Sequence, residues 1–263
     1  MDKVVSSLIA TMNAQLPLMY AYMSGIQVTE ETDWLGMHSI HDAFYNAVYE
    51  ARFSPDNVEK RVDEVVSLFS TRSKLPMTWF VTPTCEPTTL SKVLQSKGFK
   101  LAFRTPGMYL DLEKFENTKK GGSSHKIVQV SNVEQLSQWI IPGKEGFGLS
   151  DSVINAYFEL FKNKGFESQL PWKLFVGMVD EEPITCVRLF GANGVAGIFH
   201  VATIPSARGH GYGTEITVAA LEAAKELGYK LAVLASSPAG YNVYYRLGFR
   251  DCCFCDVYVG SEP

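Results

Sequence analysis

The chain has 263 residues, of which 46% are hydrophobic and 20% charged. This composition is typical of a globular protein and excludes the disordered, collagen-like and fibrous classes. The net charge of −4 provides no general attraction to phosphate backbones or anionic lipid. We therefore expect neither a nucleic acid nor a membrane as partner.

The first apolar stretch, residues 8–22, is interrupted by Asn13, Gln15 and Pro17 and has no basic region before it. These features predict neither a signal peptide nor a membrane span. The five cysteines are an odd number, and no second ligand cluster completes a zinc site with them. Their pattern suits a reducing compartment, so we expect a cytoplasmic protein without a metal.

Residues 116–125 are polar and rich in glycine and serine, and they contain no apolar residue. This composition predicts a linker between two domains, 1–115 and 126–263. Hydrophobic periodicity after the linker predicts a mixed α+β fold, whose three central strands are antiparallel because their connections are short. In chain order the predicted elements are a strand at 126–130, helices from about 133 and at 151–164, strands at 172–179, 184–189 and 197–203, a helix at 214–227, a strand at 231–235, a helix at 239–247 and a strand at 249–259.

Three glycines at alternate positions, Gly209, Gly211 and Gly213, come directly before the long predicted helix. Without side chains in the way, their backbone N–H groups and the helix N-terminus can approach one ligand, and a pyrophosphate suits them best. Arg208 adds positive charge nearby. The pattern is not a Walker loop, and a dinucleotide fingerprint would need a glycine where Thr214 stands.

Residues 208–213 have the pattern R-x-x-G-x-G, preceded by a strand with Pro205 and followed by a helix. This segment resembles the acetyl-coenzyme A (acetyl-CoA) binding motif of the GCN5-related N-acetyltransferase (GNAT) superfamily. Residues 243–249, VYYRLGF, resemble its second signature, a short helix that ends in a Gly-Phe pair. The resemblance covers about residues 126–263. It implies a GNAT-like acyl-CoA N-acyltransferase fold with acetyl-CoA as cosubstrate.

The resemblance also implies residue roles. Backbone N–H groups of Val201 and Thr203 would meet the acetyl carbonyl and the pantetheine arm, and Tyr244 would protonate the departing thiolate. Tyr245, about 100° further round the helix, is the rival for that role. Ser237 stands where many family members carry an asparagine. The residues expected to bind the cosubstrate are Val201, Thr203, Arg208, Gly209, His210, Gly211, Tyr212, Gly213, Thr214 and Ser237.

The general base is left open. Family members often carry Glu or His at the positions of Gly197 and Phe199, neither of which accepts a proton. His200 is a chemical alternative, although strand alternation predicts that it faces away from those two residues. A base that acts through a water molecule is the other alternative.

The predicted function is transfer of an acetyl group from acetyl-CoA to a primary amine, which attacks the thioester directly. The alternative is a non-catalytic acyl-CoA-binding regulatory or sensor protein, which the missing base favours and Tyr244 opposes. The acceptor would be a small-molecule or peptide amine. The net charge does not select among polyamines, aminoglycosides, amino acids and protein amines, and the sequence leaves the oligomeric state open.

Residues 1–115 repeat some of these marks at an offset of 150. Pro55 precedes Gly98-Phe99 by 43 residues (98 − 55), and Pro205 precedes Gly248-Phe249 by the same number (248 − 205). This repetition predicts a second, degenerate GNAT-like domain. The resemblance then places the chain among two-domain acetyltransferases with a degenerate N-terminal half.

At the offset of 150, Val58, Arg61 and Asp63 match Arg208, Gly211 and Gly213, and Leu94 replaces Tyr244. Bulky side chains and an aspartate would exclude a pyrophosphate, so we expect this half to bind no coenzyme A. It would instead form a wall of the acceptor cleft. Three aromatic residues either line that cleft or pack in the core, namely Trp34, Trp79 and Phe80.

Overall fold

The computed structural model of the chain describes residues 2–117, 125–167 and 169–260. The contacts between residues divide the chain into two compact units. The first unit is made of Met1–Pro106 and Cys253–Pro263, and the second of Gly107–Cys252. In the described part of the chain, no helix combines the length and the apolar character that a membrane span requires.

The compact units differ from the predicted limits in two respects: residues 107–115 belong to the second unit, and the last residues of the chain join the first unit. The limits 1–115 and 126–263 stay a prediction. Most of the predicted linker, residues 118–124, lies outside the described residues. His125, at its end, is described and is buried.

The first unit contains helices and a mixed sheet. Its elements are α1 (Lys3–Leu18), β1 (Ile26–Glu30), β2 (Leu35–Ser39), β3 (Ala47–Tyr49), α2 (Val58–Arg72), β4 (Thr78–Val81) and α3 (Leu90–Ser96). Two further strands, β5 (Lys100–Asp111) and β11 (Arg250–Val259), each belong partly to this unit. The strand order is β1-β2-β3-β4-β11, and the pairs are antiparallel except for β3 and β4, which are parallel.

One apolar face of α2 packs on the sheet of the first unit. Val58, Val62, Val65 and Phe69 recur at helical spacing and are buried. The three aromatic residues predicted either to line the cleft or to pack in the core are all buried. Trp34 and Trp79 lie in this same core, and Phe80 stacks on Tyr49 with ring centroids 4.6 Å apart.

The predicted order of elements from residue 126 onward is confirmed, although most of its last strand, β11, belongs to the first unit and the other elements belong to the second. The second unit contains β6 (Lys126–Gln129), α4 (Val133–Phe147), α5 (Asp151–Lys164), β7 (Trp172–Val179), β8 (Glu182–Ala192), β9 (Val195–Thr203), α6 (Tyr212–Glu226), β10 (Leu231–Ala235) and α7 (Tyr241–Arg246). Local signals explain the helix ends: the side chain of Asn132 accepts from the N–H of Gln135 at the start of α4, and Gly148 ends that helix in the left-handed conformation.

The sheet of the second unit runs β5-β10-β9-β8-β7-β6, with the part of β5 from residue 107 onward paired to β10. The pairs are antiparallel except for β9 and β10, which are parallel. Buried apolar residues of α6, among them Ile216 and Ala220, pack on one face of this sheet against Ala196 and Ile198 of β9. The mixed α+β fold predicted from the sequence is therefore confirmed.

The two units share an internal pattern. Each has a strand, a helix, a parallel strand and a short helix in succession: β3-α2-β4-α3 and β9-α6-β10-α7. The turn after the short helix repeats at the offset of 150, because Phe99 donates to the carbonyl of Leu94 at 3.0 Å and Phe249 donates to that of Tyr244 at 3.0 Å. Gly98 and Gly248 are both left-handed there.

The prediction that bulky side chains and an aspartate replace the cosubstrate loop of the first unit is wrong. Val58, Arg61 and Asp63 all lie inside α2 and do not occupy a loop before it. Glu50 and His200 share a left-handed backbone, with φ of 50° and 55°. From Glu50 to the start of α2 there are eight residues (58 − 50), and from His200 to the start of α6 there are twelve (212 − 200). The first unit therefore lacks four residues of this segment.

Candidate active site

Two parallel strands of the second unit separate and leave an edge of β9 open. β9 and β10 pair at Ala196 with Ala232 and at Gly197 with Val233. Beyond these residues β9 continues along β8 as far as Thr203, whereas β10 continues along β5. In the described parts of the chain, no strand pairs with the other edge of β9 after Gly197.

Two backbone amides of β9 point into this opening. Ile204 donates its N–H to the carbonyl of Ile184 on the β8 side, at 3.0 Å. The carbonyls of His200 and Ala202 face β8, where they accept from Sγ of Cys186 at 3.6 Å and Oγ1 of Thr185 at 2.7 Å. Because the C=O and the following N–H of a trans peptide point in opposite directions, the amides of Val201 and Thr203 face away from β8. This is the orientation on which their predicted role toward an acyl carbonyl depends.

β9 contains a bulge at the strand opening. Ala202 lies opposite Cys186 but Phe199 lies opposite Arg188, so His200 and Val201 together face a single residue of β8. His200 has a φ of 55°, a conformation that residues other than glycine seldom adopt. The bulge bends the strand and changes the alternation of its side chains.

The prediction that His200 faces away from Gly197 and Phe199 is wrong because of this bulge. Ile198 packs in the core with α6, so its neighbours Gly197 and Phe199 face the opposite side of the sheet. The ring of His200 lies on that opposite side too, where it stacks on Trp139 of α4 with centroids 4.8 Å apart.

The environment of His200 makes it a weak base. Its Nε2 is buried and, among the described residues, has no hydrogen-bond partner. Burial, with a smaller contribution from the charge of Arg188, lowers the pKa of His200 to about 3. Gly143 of α4 leaves room for the ring, because a Cβ at Gly143 would lie 2.5 Å from Nε2.

The glycine loop presents a row of backbone amides at the start of α6. Gly209 and Gly211 have φ of 84° and 89°, which favour glycine. In the described chain, no acceptor is found for the amides of residues 209–213. The amide of Thr214 already donates to the carbonyl of Gly211 at 3.0 Å. Five consecutive donors at a helix N-terminus form a cradle for an anion.

Arg208 is held by two carbonyl oxygens. Its Nε donates to the carbonyl of Thr203 at 3.2 Å, and its Nη2 donates to that of Gly146 at 3.0 Å. The guanidinium therefore joins the end of β9 to the last turn of α4. These bonds use two of its five N–H donors.

Two aromatic side chains flank the same loop. The rings of His210 and Tyr212 are stacked, with centroids 5.8 Å apart and planes at 22°. Nδ1 of His210 lies 3.0 Å from the carbonyl of Arg208. Gly213 brings α6 close to β9, because a Cβ there would lie 3.4 Å from Oγ1 of Thr203.

The two candidate tyrosines of α7 lie in different environments. Tyr244 is 8% exposed and packs in the core beneath α6 and β10, whereas Tyr245 is 48% exposed, with the guanidinium of Arg250 over its ring. Burial raises the pKa of Tyr244 well above its usual range. The Tyr244 hydroxyl therefore keeps its proton at neutral pH.

Ser237 is exposed in the segment that follows β10. Its Oγ accepts from the N–H of Gly240 at 3.2 Å, and its carbonyl accepts from the N–H of Tyr241 at 3.1 Å. The serine thus shapes the turn into α7. Because its hydroxyl is a hydrogen-bond partner within this turn, a contact with a cosubstrate would be shared with Gly240.

One buried pair beside the loop was not predicted from the sequence. Nδ1 of His125 lies 2.9 Å from Oε2 of Glu215, in the first turn of α6. The side chain of His125 is fully buried and that of Glu215 is 11% exposed. Ninety residues separate the two in the sequence, and His125 follows a polar, glycine-rich stretch, so no local signal indicates the pair.

Comparison with known proteins agrees with this geometry. Residues 147–249 match the model of the acetyltransferase (GNAT) family. The whole chain resembles a GCN5-related N-acetyltransferase from Kribbella flavida, with a TM-score of 0.76, 16% identity and coverage of 100% of this chain and 97% of that one. No curated protein matches the sequence.

Two further solved structures are similar over most of the chain. One is a tandem GNAT protein from the clavulanic acid biosynthesis pathway, with a TM-score of 0.64, 12% identity and coverage of 97% of this chain and 88% of that one. The other is a functionally unknown conserved protein from Staphylococcus epidermidis, with a TM-score of 0.65, 11% identity and coverage of 92% and 96%. At these identities the likeness concerns the fold.

The diverging parallel strands and the amide-lined loop both lie within the residues that match the acetyltransferase (GNAT) family model. The chain carries a GNAT acetyltransferase domain over residues 147–249, and its fold as a whole is that of GCN5-related N-acetyltransferases, tandem members included. The resemblance noted in the sequence is thereby confirmed.

Proposed function

We propose that the protein is an N-acetyltransferase that transfers the acetyl group of acetyl-CoA to a primary amine. The observation that carries the proposal is the row of five backbone amides, residues 209–213, without an acceptor in the described chain. They lie at the N-terminus of α6 and follow the strand whose edge is open. Backbone donors and a helix dipole at one place suit the diphosphate of coenzyme A.

In this proposal, the open edge of β9 receives the thioester. The amides of Val201 and Thr203, which face away from β8, donate to the acetyl oxygen and to the pantetheine arm. Donors that are fixed in position stabilise the negative charge that develops on the acetyl oxygen during attack. The pyrophosphate lies on the amides of residues 209–213, with the side chains of Arg208, Thr214 and Ser237 as further contacts.

The transfer of the acetyl group then requires two proton transfers. The amine nitrogen forms a bond to the acetyl carbon, the carbon–sulfur bond breaks, and the amine loses a proton. Tyr244 supplies a proton to the departing thiolate, whose own acid has a pKa of about 8.5. Burial raises the pKa of Tyr244, so the phenol is protonated before each turnover, but the same shift makes it a weaker proton donor to the thiolate.

The surroundings of His200 favour a base that acts through water. A histidine with a pKa of about 3 is neutral at pH 7 but binds a proton weakly. Gly197 and Phe199 offer no proton acceptor. We therefore propose that a water molecule in the opening relays the amine proton to the bulk solvent, with direct attack of the amine on the thioester and no acetylated enzyme.

The acceptor in this proposal is a small-molecule or peptide amine. We place the reaction in the cytoplasm, a location that the odd number of cysteines in the sequence suits because thiols stay reduced there. The first unit takes no coenzyme A, since the segment before α2 is four residues shorter than its counterpart before α6 (8 against 12).

The proposal is tested in two steps on the whole chain. Calorimetry with coenzyme A measures binding, and release of free thiol from acetyl-CoA is then followed against a panel of polyamines, aminoglycosides, amino acids and peptides. Binding together with amine-dependent thiol release is the expected result. Binding without thiol release for any amine contradicts the enzyme and leaves an acyl-CoA sensor, and no binding at all contradicts both.

A further inference from the structure

His125 fills a closed space between the sheet and the first turn of α6. A Cβ at Gly177 of β7 would lie 2.4 Å from Nε2 of His125, so only glycine leaves room for the imidazole. The ring of Tyr212, the first residue of α6, meets His125 edge to face with centroids 4.8 Å apart. The ring therefore touches both the sheet and the start of the helix.

The direction of the hydrogen bond between His125 and Glu215 follows from their chemistry. An ionised carboxylate can only accept, so Nδ1 of His125 donates to Oε2 of Glu215. Hydrogen bonds to a charged acceptor are among the stronger ones in proteins, and here both side chains are almost excluded from water. The bond fixes the first turn of α6 relative to β7.

The position of this turn decides where the loop amides point. The backbone N–H of Glu215 donates to the carbonyl of Gly211 at 3.1 Å, and the left-handed backbone of Gly211 starts α6. A movement of Glu215 therefore moves Gly211 and the donors around it. A displacement of about 1 Å is enough to weaken the geometry of several hydrogen bonds at once.

The pair also has an electrostatic consequence for an anion. A carboxylate in the first turn of a helix competes with a bound phosphate for the positive helix dipole. His125 donates its N–H to the Glu215 carboxylate from the side of the sheet, and this bond keeps the carboxylate directed away from the loop. His125 therefore both anchors Glu215 and limits its repulsion of a phosphate.

We propose that His125 and Glu215 form a positioning pair that holds the amides of residues 209–213 in place for the diphosphate of coenzyme A. The inference rests on the proposed function and extends it to two residues outside the glycine loop. Both act through the loop and neither touches the reacting atoms. The coupling should appear in cosubstrate affinity, with little effect on the chemical step.

The test is a double-mutant cycle on the whole chain. Glu215→Gln keeps the shape of the side chain and removes its charge, His125→Ala removes the donor, and the double variant combines them. We expect each single variant to raise the Kd of coenzyme A and the KM of acetyl-CoA about tenfold, with kcat at saturation within about twofold of wild type. The double variant should lose no more affinity than the worse single variant, because the pair acts as a unit.

Two controls separate this role from general damage to the fold. Glu226→Gln makes the same chemical change at the exposed end of α6 and should bind coenzyme A like the wild type. His125→Asn places an amide nitrogen near the position of Nδ1 and should recover part of the affinity that His125→Ala loses.

The outcomes test the positioning pair and the proposed function separately. Variants that bind coenzyme A as tightly as the wild type, or a double variant whose loss is the product of the single losses, overturn the positioning pair and leave the proposed function intact. A wild-type protein that binds no coenzyme A overturns the proposed function itself. If His125→Ala does not fold, the comparison of Glu215→Gln with Glu226→Gln still gives the answer.

Discussion

Phe249 donates its backbone N–H to the carbonyl of Tyr244 at 3.0 Å, and the two rings meet edge to face with centroids 5.9 Å apart. This contact closes α7 and fixes the orientation of Tyr244 within the core of the second unit. Tyr245, next in the chain, points to solvent instead. α7 therefore places Tyr244 and Tyr245, which the sequence left as alternative proton donors, in different environments.

The first prediction follows from this difference. Tyr244→Phe should lower kcat by about one to two orders of magnitude, because the thiolate loses its proton donor. Coenzyme A affinity should stay nearly unchanged, since the ring and its packing are retained. Calorimetry and thiol-release kinetics measure the two quantities. Tyr245→Phe is the matched control and should turn over like the wild type; an unchanged kcat in Tyr244→Phe would remove that residue from the mechanism.

The second prediction concerns the loop backbone. Gly209 and Gly194 both have positive φ, 84° and 74°, and a Cβ at either would meet no heavy atom within 4 Å. Alanine at either position should cost about 1 kcal/mol of stability through backbone strain. Only Gly209→Ala should also weaken coenzyme A binding, by about tenfold or more, because its Cβ would enter the proposed diphosphate cradle and the strained backbone would redirect the amide.

Urea unfolding and calorimetry on both variants provide the check. Equal losses of stability together with a loss of affinity in Gly209→Ala alone are expected. Equal affinities in the two variants would show that the loop does not hold the diphosphate.

The order of elements in the second unit was accessible from the sequence because local signals determine it. Each of these signals acts over only a few residues: Asn132 caps the start of α4, Val153 and Tyr157 lie on the apolar face of α5, and Gly165 ends α5. Motifs of this kind need no knowledge of distant parts of the chain. The glycine loop before α6 was accessible for the same reason.

The parts that could not be predicted depend on backbone irregularities or on distant residues. The side of the sheet on which His200 lies follows from one left-handed residue, and the alternation rule assumes that none is present. Pro55 and Gly98 have the same spacing as Pro205 and Gly248, because a compensating change after β4 offsets the four residues missing before α2. The equal spacing therefore gave no indication of the shorter segment. The contact of Glu215 with His125 joins residues far apart in the chain.

The third prediction is a loss of stability in acid. Burial lowers the pKa of His200 from its ordinary value of 6.5 to about 3 in the folded chain. Between these values the unfolded state binds the proton more readily, so stability falls as pH falls from 6.5 toward 3, by about 1.4 kcal/mol per pH unit from this residue. His38, whose pKa burial lowers to about 4, adds a loss of the same sign between 6.5 and 4.

Urea unfolding between pH 7 and pH 4.5 measures this dependence. His200→Asn should flatten it, because asparagine tolerates the left-handed backbone and carries no titrating group. His210→Asn, in the exposed loop, serves as control and should keep the wild-type pH dependence. A His200→Asn variant whose stability falls with pH as steeply as the wild type would refute the assignment.

The fourth prediction is the number of coenzyme A molecules that one chain binds. The two units repeat the same order of strands and helices, yet Glu50 and Val58 are separated by eight residues where His200 and Tyr212 are separated by twelve (58 − 50, 212 − 200). Without the extra four residues, no glycine loop precedes α2, and Arg61 instead forms two hydrogen bonds with Asp33, at 2.9 and 2.8 Å.

Calorimetry on the whole chain should therefore give one binding site for coenzyme A per chain, and Gly209→Ala should weaken that single site. Arg61→Ala, which breaks the bonds to Asp33, should lower stability by about 1 to 3 kcal/mol and leave the affinity for coenzyme A unchanged. A second equivalent site, or a loss of affinity in Arg61→Ala, would mean that the first unit takes part in cosubstrate binding. That result would require a binding surface other than a loop at a helix N-terminus.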